Sequence, residues 1–449
     1  MDFITILKGI NDFVWGPPLL GLLVCTGIFL TIRLNVLQVF KLPKALNLIF
    51  TAKNEGSGDI NSFGALCTAL AATVGTGNIV GVSTAIGTGG PGALFWMWVA
   101  AFFGMATKYA EGVLAIKYRT TDTNGEVSGG PMYYIENGMG KKFKPLAMFF
   151  AGSGVLVALV GIGTFPQVNA IAESVNATLG IDVRIIGIIV AILVAIVVFG
   201  GIKSISKVSE KVVPFMAIIY IIFTIAILVT SADQIIPALG AVLKGAFTPT
   251  AAIGGFSGAL VAKAIQMGIA RGVFSNESGL GSAPIAAAAA KTKWAAEQGL
   301  ISMTGTFIDT IIICTLTGLS IIVTGVWSGG AKGALVTQQA FATILPAAGP
   351  MLLTLCLALF AFTTILGWCY YGERCLEYLA GVKAITAYRI VFVVMVALGA
   401  FIKLEAIWII ADIMNGLMAL PNLIALLALS GVVVSETKVY MSQIDKKGK

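Results

Sequence analysis

Histidine is missing from this 449-residue chain, and charge is scarce, since Asp, Glu, Lys and Arg make up only 11% of it. A soluble domain carries about 25% charged residues. Without imidazole there is no Ser-His-Asp triad, no histidine metal site and no histidine relay, so any proton coupling has to use carboxylates. Cysteine is sparse too: Cys25, Cys67, Cys314, Cys356, Cys369 and Cys375 lie mostly inside apolar runs and form no Cys-x-x-Cys pair. Neither a disulfide framework nor a zinc site is expected from them. The first fifteen residues, Met1 to Trp15, lack the basic, apolar and small-residue order of a signal peptide and read as an amphipathic segment from which nothing is cleaved. The net charge of +8 is dispersed over loops, which argues against a nucleic-acid surface.

What the chain has in abundance is apolar length: 57% hydrophobic residues and a mean hydropathy of +0.95. A spanning helix needs about 20 apolar residues. Runs of that kind follow one another at about 17–35, 62–86, 92–117, 146–178, 183–200, 210–230, 256–290 (interrupted), 300–325, 349–380, 386–402 and 405–434. Stretches such as Ile185 to Phe199 are continuously apolar, where a barrel strand would alternate. The expected class is therefore an all-α polytopic membrane protein with about eleven spans. With loops assigned alternately, twenty-two Lys and Arg fall on one side and five on the other, with Lys263 and Arg271 inside a span. The positive-inside rule makes the first side cytoplasmic, with the N-terminus outside the cell membrane and the C-terminus inside. Lys108 belongs to the cytoplasmic set in this assignment.

Two of the apolar segments are interrupted in related ways. Asn78, Gly81 and Ala85 recur 198 residues later as Asn276, Gly279 and Ala283. Each break opens a group of five spans, and the two groups start on opposite sides of the membrane, the pattern of an inverted repeat. The organisation predicted is 1–61, an extra N-terminal span and cytoplasmic loop; 62–230, the first five-helix repeat; 231–255, an extracellular connection; 256–434, the inverted second repeat; and 435–449, a cytoplasmic tail. Non-helical backbone at membrane depth survives only where it is buried in protein or lines a cavity. At such a break the half-helix that ends offers carbonyls to a cation, and the half-helix that begins offers N–H groups to a carboxylate. An amino acid travelling with Na⁺ fits that pair of poles.

Gly75 and Gly77 let the first segment unwind, while Thr76 and Asn78 supply oxygens suited to Na⁺ or an ammonium group. The competing reading is close helix packing through small residues. Phe274, Ser275 and Asn276 form the mirrored break. Thr363 and Thr364, with Trp368 a turn later, either bond back to their own helix or complete a sodium shell opposite a break. Gln167 either binds a substrate carboxylate or joins two helices. Glu173, Glu277, Asp309 and Asp412 are ionisable residues within spans, open to structural pairing or to gating, with Lys263 and Arg271 as partners. Glu111 and Glu373 are expected near the cytoplasmic interface, solvated or paired with Lys108 and Arg374. A channel would show repeated subunit filters, an enzyme a Ser/Lys or paired-Asp site; neither stands out, and a voltage-driven uniporter is the remaining alternative.

The stretch Gly89-Gly-Pro-Gly-Ala-Leu-Phe-Trp-Met-Trp98 with Gly104, and Gly75-Thr-Gly-Asn-Ile-Val-Gly81, resemble motifs of the alanine or glycine:cation symporter family. That resemblance covers nearly the whole chain. It implies a five-plus-five leucine-transporter-like fold, coupling to Na⁺ or H⁺, and uptake of alanine or glycine; the sequence itself makes no obligatory protein partner evident, and no enzyme activity is expected. The fold's sodium-coupled neurotransmitter transporters carry a similar Gly-Leu-Gly-Asn at the first break. On that likeness the carbonyls of Ala71 and Val74 and the hydroxyls of Thr363 and Thr364 take the sodium site. Amides near Gly77 and Asn78 meet the substrate carboxylate, and Phe274, Gln167 and Trp368 wall a short pocket. Ala72 and Thr73 depart from the pattern, so a second sodium site is not carried over.

Overall fold

The computed structural model describes residues 3–248, 257–330, 333–400 and 405–447, without side chains for 257–260, 405–408 and 444–447. Among the described residues, each of the eleven expected segments falls mainly on helix. Among the described residues, eight helices are long and apolar enough to cross a membrane, nine when the bent pair Ser62–Thr73 and Gly77–Gly89 is taken as one span. Val183–Val198 is apolar but shorter. Large side chains such as Ile188, Ile192, Ile196, Ile218 and Ile222 stand exposed on it and on Gly201–Thr230. An apolar face of that extent on a monomer calls for a lipid neighbour.

Local chemistry sets the element ends. Pro17 and Pro18 occupy the first turn of Pro17–Arg33, where a missing N–H costs nothing. Asn61 caps Ser62–Thr73 by accepting the Gly64 N–H at 2.5 Å. The first break follows at once. The chain leaves the helix at Val74 (ψ 92°), passes through a π-type turn at Gly77–Gly81 and resumes as Val82–Gly89, bent by 51°. The second break separates Ser257–Asn276 from Ala283–Ala288, with Glu277 held at φ 57°.

A third interruption was expected only as a local opening of the helix at Pro166. The segment read as one span over 146–178 is two helices, Lys144–Val160 and Phe165–Leu179. Pro166 has no N–H to give the Ile162 carbonyl, and the Gln167 side chain makes that bond instead at 3.1 Å. Gly163 sits here because a Cβ at this point would stand 2.8 Å from the Trp368 Cβ. Other differences are smaller. The connection 231–255 contains the helix Ile235–Phe247, and the last span ends at Ala428, so that Ser430–Lys447 forms a new helix where 435–449 was read as a tail.

Two helices organise the packing. Gly92–Lys117 lies against Ser257–Asn276, Ala283–Ala288 and Ala295–Thr306. Gly349–Ala380 lies against Lys144–Val160, Phe165–Leu179, Gly201–Thr230 and Ser62–Thr73. The broken helices therefore run between these two groups.

Candidate functional site

The first break is held open by one side chain. In a continuous helix the Gly75 N–H would bond the Ala71 carbonyl; here it donates to Asn78 Oδ1 at 2.9 Å. The Ala71 carbonyl loses its ladder partner, and the Val74 carbonyl is turned off the helix by the ψ of 92°. Thr364 of Gly349–Ala380 places its hydroxyl against Gly75, where any Cβ would collide with it. That hydroxyl also donates to the Phe360 carbonyl at 2.9 Å. Thr363 points elsewhere: its hydroxyl bonds the Leu359 and Phe360 carbonyls and faces Met216.

The second break uses the same device. Ser278 N–H donates to Asn276 Oδ1 at 2.9 Å, and Gly279 N–H donates to Glu111 Oε1 at 3.1 Å. Phe274 and Ser275 carbonyls consequently lose the donors that a continuous helix would supply. The Asn276 carbonyl accepts from Lys108 Nζ at 2.8 Å, a cation at a helix C-terminus.

Both asparagines reach the same third element, the π-type segment Phe307–Cys314. Asn78 Nδ2 donates to Asp309 Oδ1 at 2.7 Å, and Asn276 Nδ2 to Thr310 Oγ1 at 3.0 Å. Asp309 Oδ2 accepts from Ser275 Oγ at 2.9 Å and from Thr310 Oγ1 at 2.7 Å. Asp309 is wholly buried, and this convergence of donors holds its carboxylate in place. Sequence reading had it only as an ionisable residue inside a span; the signal was there, but the hub it forms depends on three segments meeting.

A cavity of about 710 Å³ opens against the breaks, lined among others by Thr76, Gly77, Val80, Thr84, Phe274 and Pro166. Of the expected site residues, Thr76, Gly77 and Phe274 line it directly. Asn78, Ser275 and Asn276 are buried behind them in the Asp309 network. Gln167 and Trp368 do not line it. Gln167 caps the third break, and the Trp368 indole N–H donates to Glu277 Oε1 at 3.0 Å with its ring beside Tyr371.

One placement needs correction. Lys108 and Glu111, expected near the cytoplasmic interface and either solvated or paired with each other, are not solvated but buried behind the second break. Glu111 is held there by Gly279 N–H and by Asn422 Nδ2 at 2.7 Å. The cause is that the second half of Gly92–Lys117 packs against Ala295–Thr306, where Gly112 meets Gly299 and Ser302 and Gly299 meets Tyr109 and Val113. Lys263, one of the two cations offered as partners for the acids within spans, donates to Gln266 at 3.3 Å. Glu373 does pair with Arg374, at 2.8 Å, but in a buried cluster where Arg374 also meets Asp122, Glu126 and Glu377. That cluster ties the β-hairpin formed by Thr120–Thr121 and Val127–Ser128 to Gly349–Ala380. The hairpin follows the Lys117 end of Gly92–Lys117, and none of its residues lines the cavity.

Broken apolar helices facing a cavity, one flanked by freed carbonyls and hydroxyls, define a membrane transport protein with the leucine-transporter fold. The solved structure of MhsT in complex with L-phenylalanine matches 85% of this chain and 93% of its own, with a TM-score of 0.60 at 14% identity. The model of the sodium:alanine symporter family matches residues 1–449, and the chain belongs to that family. The sodium/alanine symporter AgcS of Methanococcus maripaludis is 53% identical over 98% of both chains. An uncharacterized transporter of Haemophilus influenzae is 54% identical over 99% of this chain and 97% of its own. The probable sodium/glutamine symporter GlnT of Bacillus subtilis is 36% identical over 98% of this chain and 91% of its own. These relatives mark a transport protein rather than an enzyme, with Na⁺ as the coupling ion that family membership implies and an amino acid as its substrate class.

Proposed function

We propose that the chain carries a small neutral amino acid, alanine or glycine, into the cell together with Na⁺ by alternating access. The observation that carries this reading is the diversion of the Gly75 N–H to Asn78, which frees the Ala71 carbonyl and turns the Val74 carbonyl off the helix at a glycine that the Thr364 hydroxyl faces. Oxygen ligands of that hardness suit Na⁺. Thr363 is the weaker member of the set, since its hydroxyl is turned to Met216. Beyond the sodium ligands, the N–H groups around Thr76, Gly77 and Asn78 receive the substrate carboxylate, Ser275 and Asn276 complete the polar wall, and Phe274 limits side-chain size. Gln167 and Trp368 act from behind, by fixing the third break and Glu277.

The reading includes eleven spans in a five-plus-five inverted repeat after one extra span, N-terminus outside and C-terminus inside, with the domain limits given above. The Arg374 cluster, whose residues do not line the cavity, would seal one side while the other admits substrate, as an outward-open resting form needs. A proton-coupled variant draws on one observation, the burial of the Asp309 carboxylate among neutral donors. The two are separated by uptake of labelled alanine, glycine and larger amino acids into proteoliposomes with the sodium and proton gradients imposed independently. A sodium gradient alone should drive alanine and glycine; uptake that follows only the proton gradient would transfer the coupling to the carboxylates.

A further inference from the structure

Another cavity, of about 420 Å³, opens away from the breaks, where the loop before Ser62–Thr73 meets the start of Gly201–Thr230. Lys203 and Lys207 line it from that helix, and Lys291, just after Ala283–Ala288, lines it from another side. Asp59 and Glu210 line it too, but both carboxylates are already engaged. Asp59 Oδ2 accepts the Val127 N–H at 2.8 Å, and Glu210 Oε1 accepts from Asn61 Nδ2 at 3.2 Å and from Ser206 Oγ at 3.1 Å. The three ammonium groups are not engaged in that way: among the described residues none of them forms an ion pair within 4.0 Å. Three lysines against two committed carboxylates leave the lining net positive.

The helix that carries two of these lysines says what kind of anion they face. Lys203, Lys207 and Lys211 are exposed, and at the same spacing of three or four residues they are followed by exposed Phe215, Ile218 and Ile222. Residues so spaced share one helix face. From Lys211 to Phe215 the face changes from ammonium to apolar within about 6 Å, at 1.5 Å per residue, which is how a helix passes from the headgroup layer into hydrocarbon. A soluble anion would use the lysines and leave the apolar strip unused, and a zwitterionic headgroup would bring an ammonium that the lysines repel. An anionic phospholipid uses both parts, its phosphate on the lysines and its chains along the strip. We propose that Lys203, Lys207 and Lys291 form a binding site for the headgroup of an anionic phospholipid whose chains lie along the face of Phe215, Ile218 and Ile222. The headgroup touches chain from both broken segments, since the Lys291 N–H donates to the Ile60 carbonyl at 2.7 Å and Asn61, beside it, caps Ser62–Thr73. This site is separate from the ion and substrate residues and does not depend on which cation drives transport.

Native mass spectrometry of the purified full chain, titrated with phosphatidylglycerol and with phosphatidylcholine of the same chain length, tests it. Wild type should bind phosphatidylglycerol the more tightly. A lysine near an anionic headgroup is worth about fivefold in affinity, so the double variant Lys203→Gln, Lys207→Gln should bind phosphatidylglycerol about 30-fold more weakly, and Lys291→Gln about fivefold. Lys203 and Lys207 are exposed, so their loss leaves the packing intact. The control double variant Lys141→Gln, Lys142→Gln removes the same charge from another exposed turn and should stay within about twofold of wild type. Inorganic phosphate, added at the lipid's concentration, should not displace the lipid. Equal affinity for the two lipids in wild type, unchanged phosphatidylglycerol binding after loss of Lys203 and Lys207, or an equal loss in the control variant would each overturn the site. Displacement by inorganic phosphate would overturn it as well, by showing a site for a free anion.

Discussion

Asn78→Ala is the substitution that most directly asks whether the first break is held open for an ion. The side chain accepts the Gly75 N–H at 2.9 Å and donates to Asp309 at 2.7 Å. Truncation removes a hydrogen bond to a charged acceptor, worth about 1.5–3 kcal/mol, and frees a buried N–H whose desolvation costs about 1–3 kcal/mol. The N–H has one nearby remedy, which is to rejoin the helical ladder at the Ala71 carbonyl. That rearrangement limits the loss of stability and occupies a proposed sodium ligand. If about 1.5–3 kcal/mol of the loss falls on sodium binding, the sodium concentration for half-maximal alanine binding rises by about 10- to 150-fold. Asn78→Asp keeps an acceptor for Gly75 but sets a second carboxylate against Asp309, and it should lower thermal stability more than Asn78→Ala does. The assay is alanine binding to purified protein across a sodium series, with unfolding temperature measured in parallel. An Asn78→Ala protein with unchanged sodium dependence would refute the reasoning, because the break would then hold its ligands without the side chain that opens it.

Thr364→Ala should raise the sodium requirement far more than it alters alanine binding at saturating sodium, and Thr363→Ala, whose hydroxyl faces Met216, should raise it less; equal and unchanged sodium curves in both would remove Gly349–Ala380 from the ion site. Phe274→Ala should favour valine or leucine over alanine by about 10- to 200-fold relative to wild type, at about 1–3 kcal/mol per methylene accommodated, read by competition against labelled alanine. Trp368→Phe, which deletes the indole donor to buried Glu277, should cost about 1–3 kcal/mol of stability and leave the alanine-to-leucine ratio as it is; a changed ratio would put Trp368 back in the pocket wall. In a background without Cys25, a cysteine at exposed Ser328 should react with an impermeant reagent from outside the cell and one at exposed Lys142 should not; the reverse would invert the orientation read from the charge split.

The helices were legible because apolar runs of membrane length leave few alternatives, and the two principal breaks because Gly-x-Gly-Asn and Phe-Ser-Asn interrupt them. The third break was half legible. Pro166 was visible, but the crowding of Gly163 by Trp368 depends on a helix two hundred residues away. Trp368 lies four residues after Thr364 and so shares its helix face, which made it a plausible wall for the same pocket. Its indole instead donates to Glu277, away from the cavity lining. Lys108 and Glu111 lie in the second half of an apolar helix, and linear spacing cannot tell an emerging end from one that crosses a partner. Asp309 stood out chemically, yet its role as the meeting point of Asn78 and Ser275 exists only in three dimensions.

Coupling itself is tested most directly by driving the cycle backwards, with alanine as the source of energy. Proteoliposomes with equal sodium on both sides, and an inward alanine gradient under clamped membrane potential, should accumulate labelled sodium against its own gradient, and Thr364→Ala should weaken that accumulation at low sodium. Alanine entry without sodium movement in wild type would contradict sodium symport, however well the breaks are arranged for it.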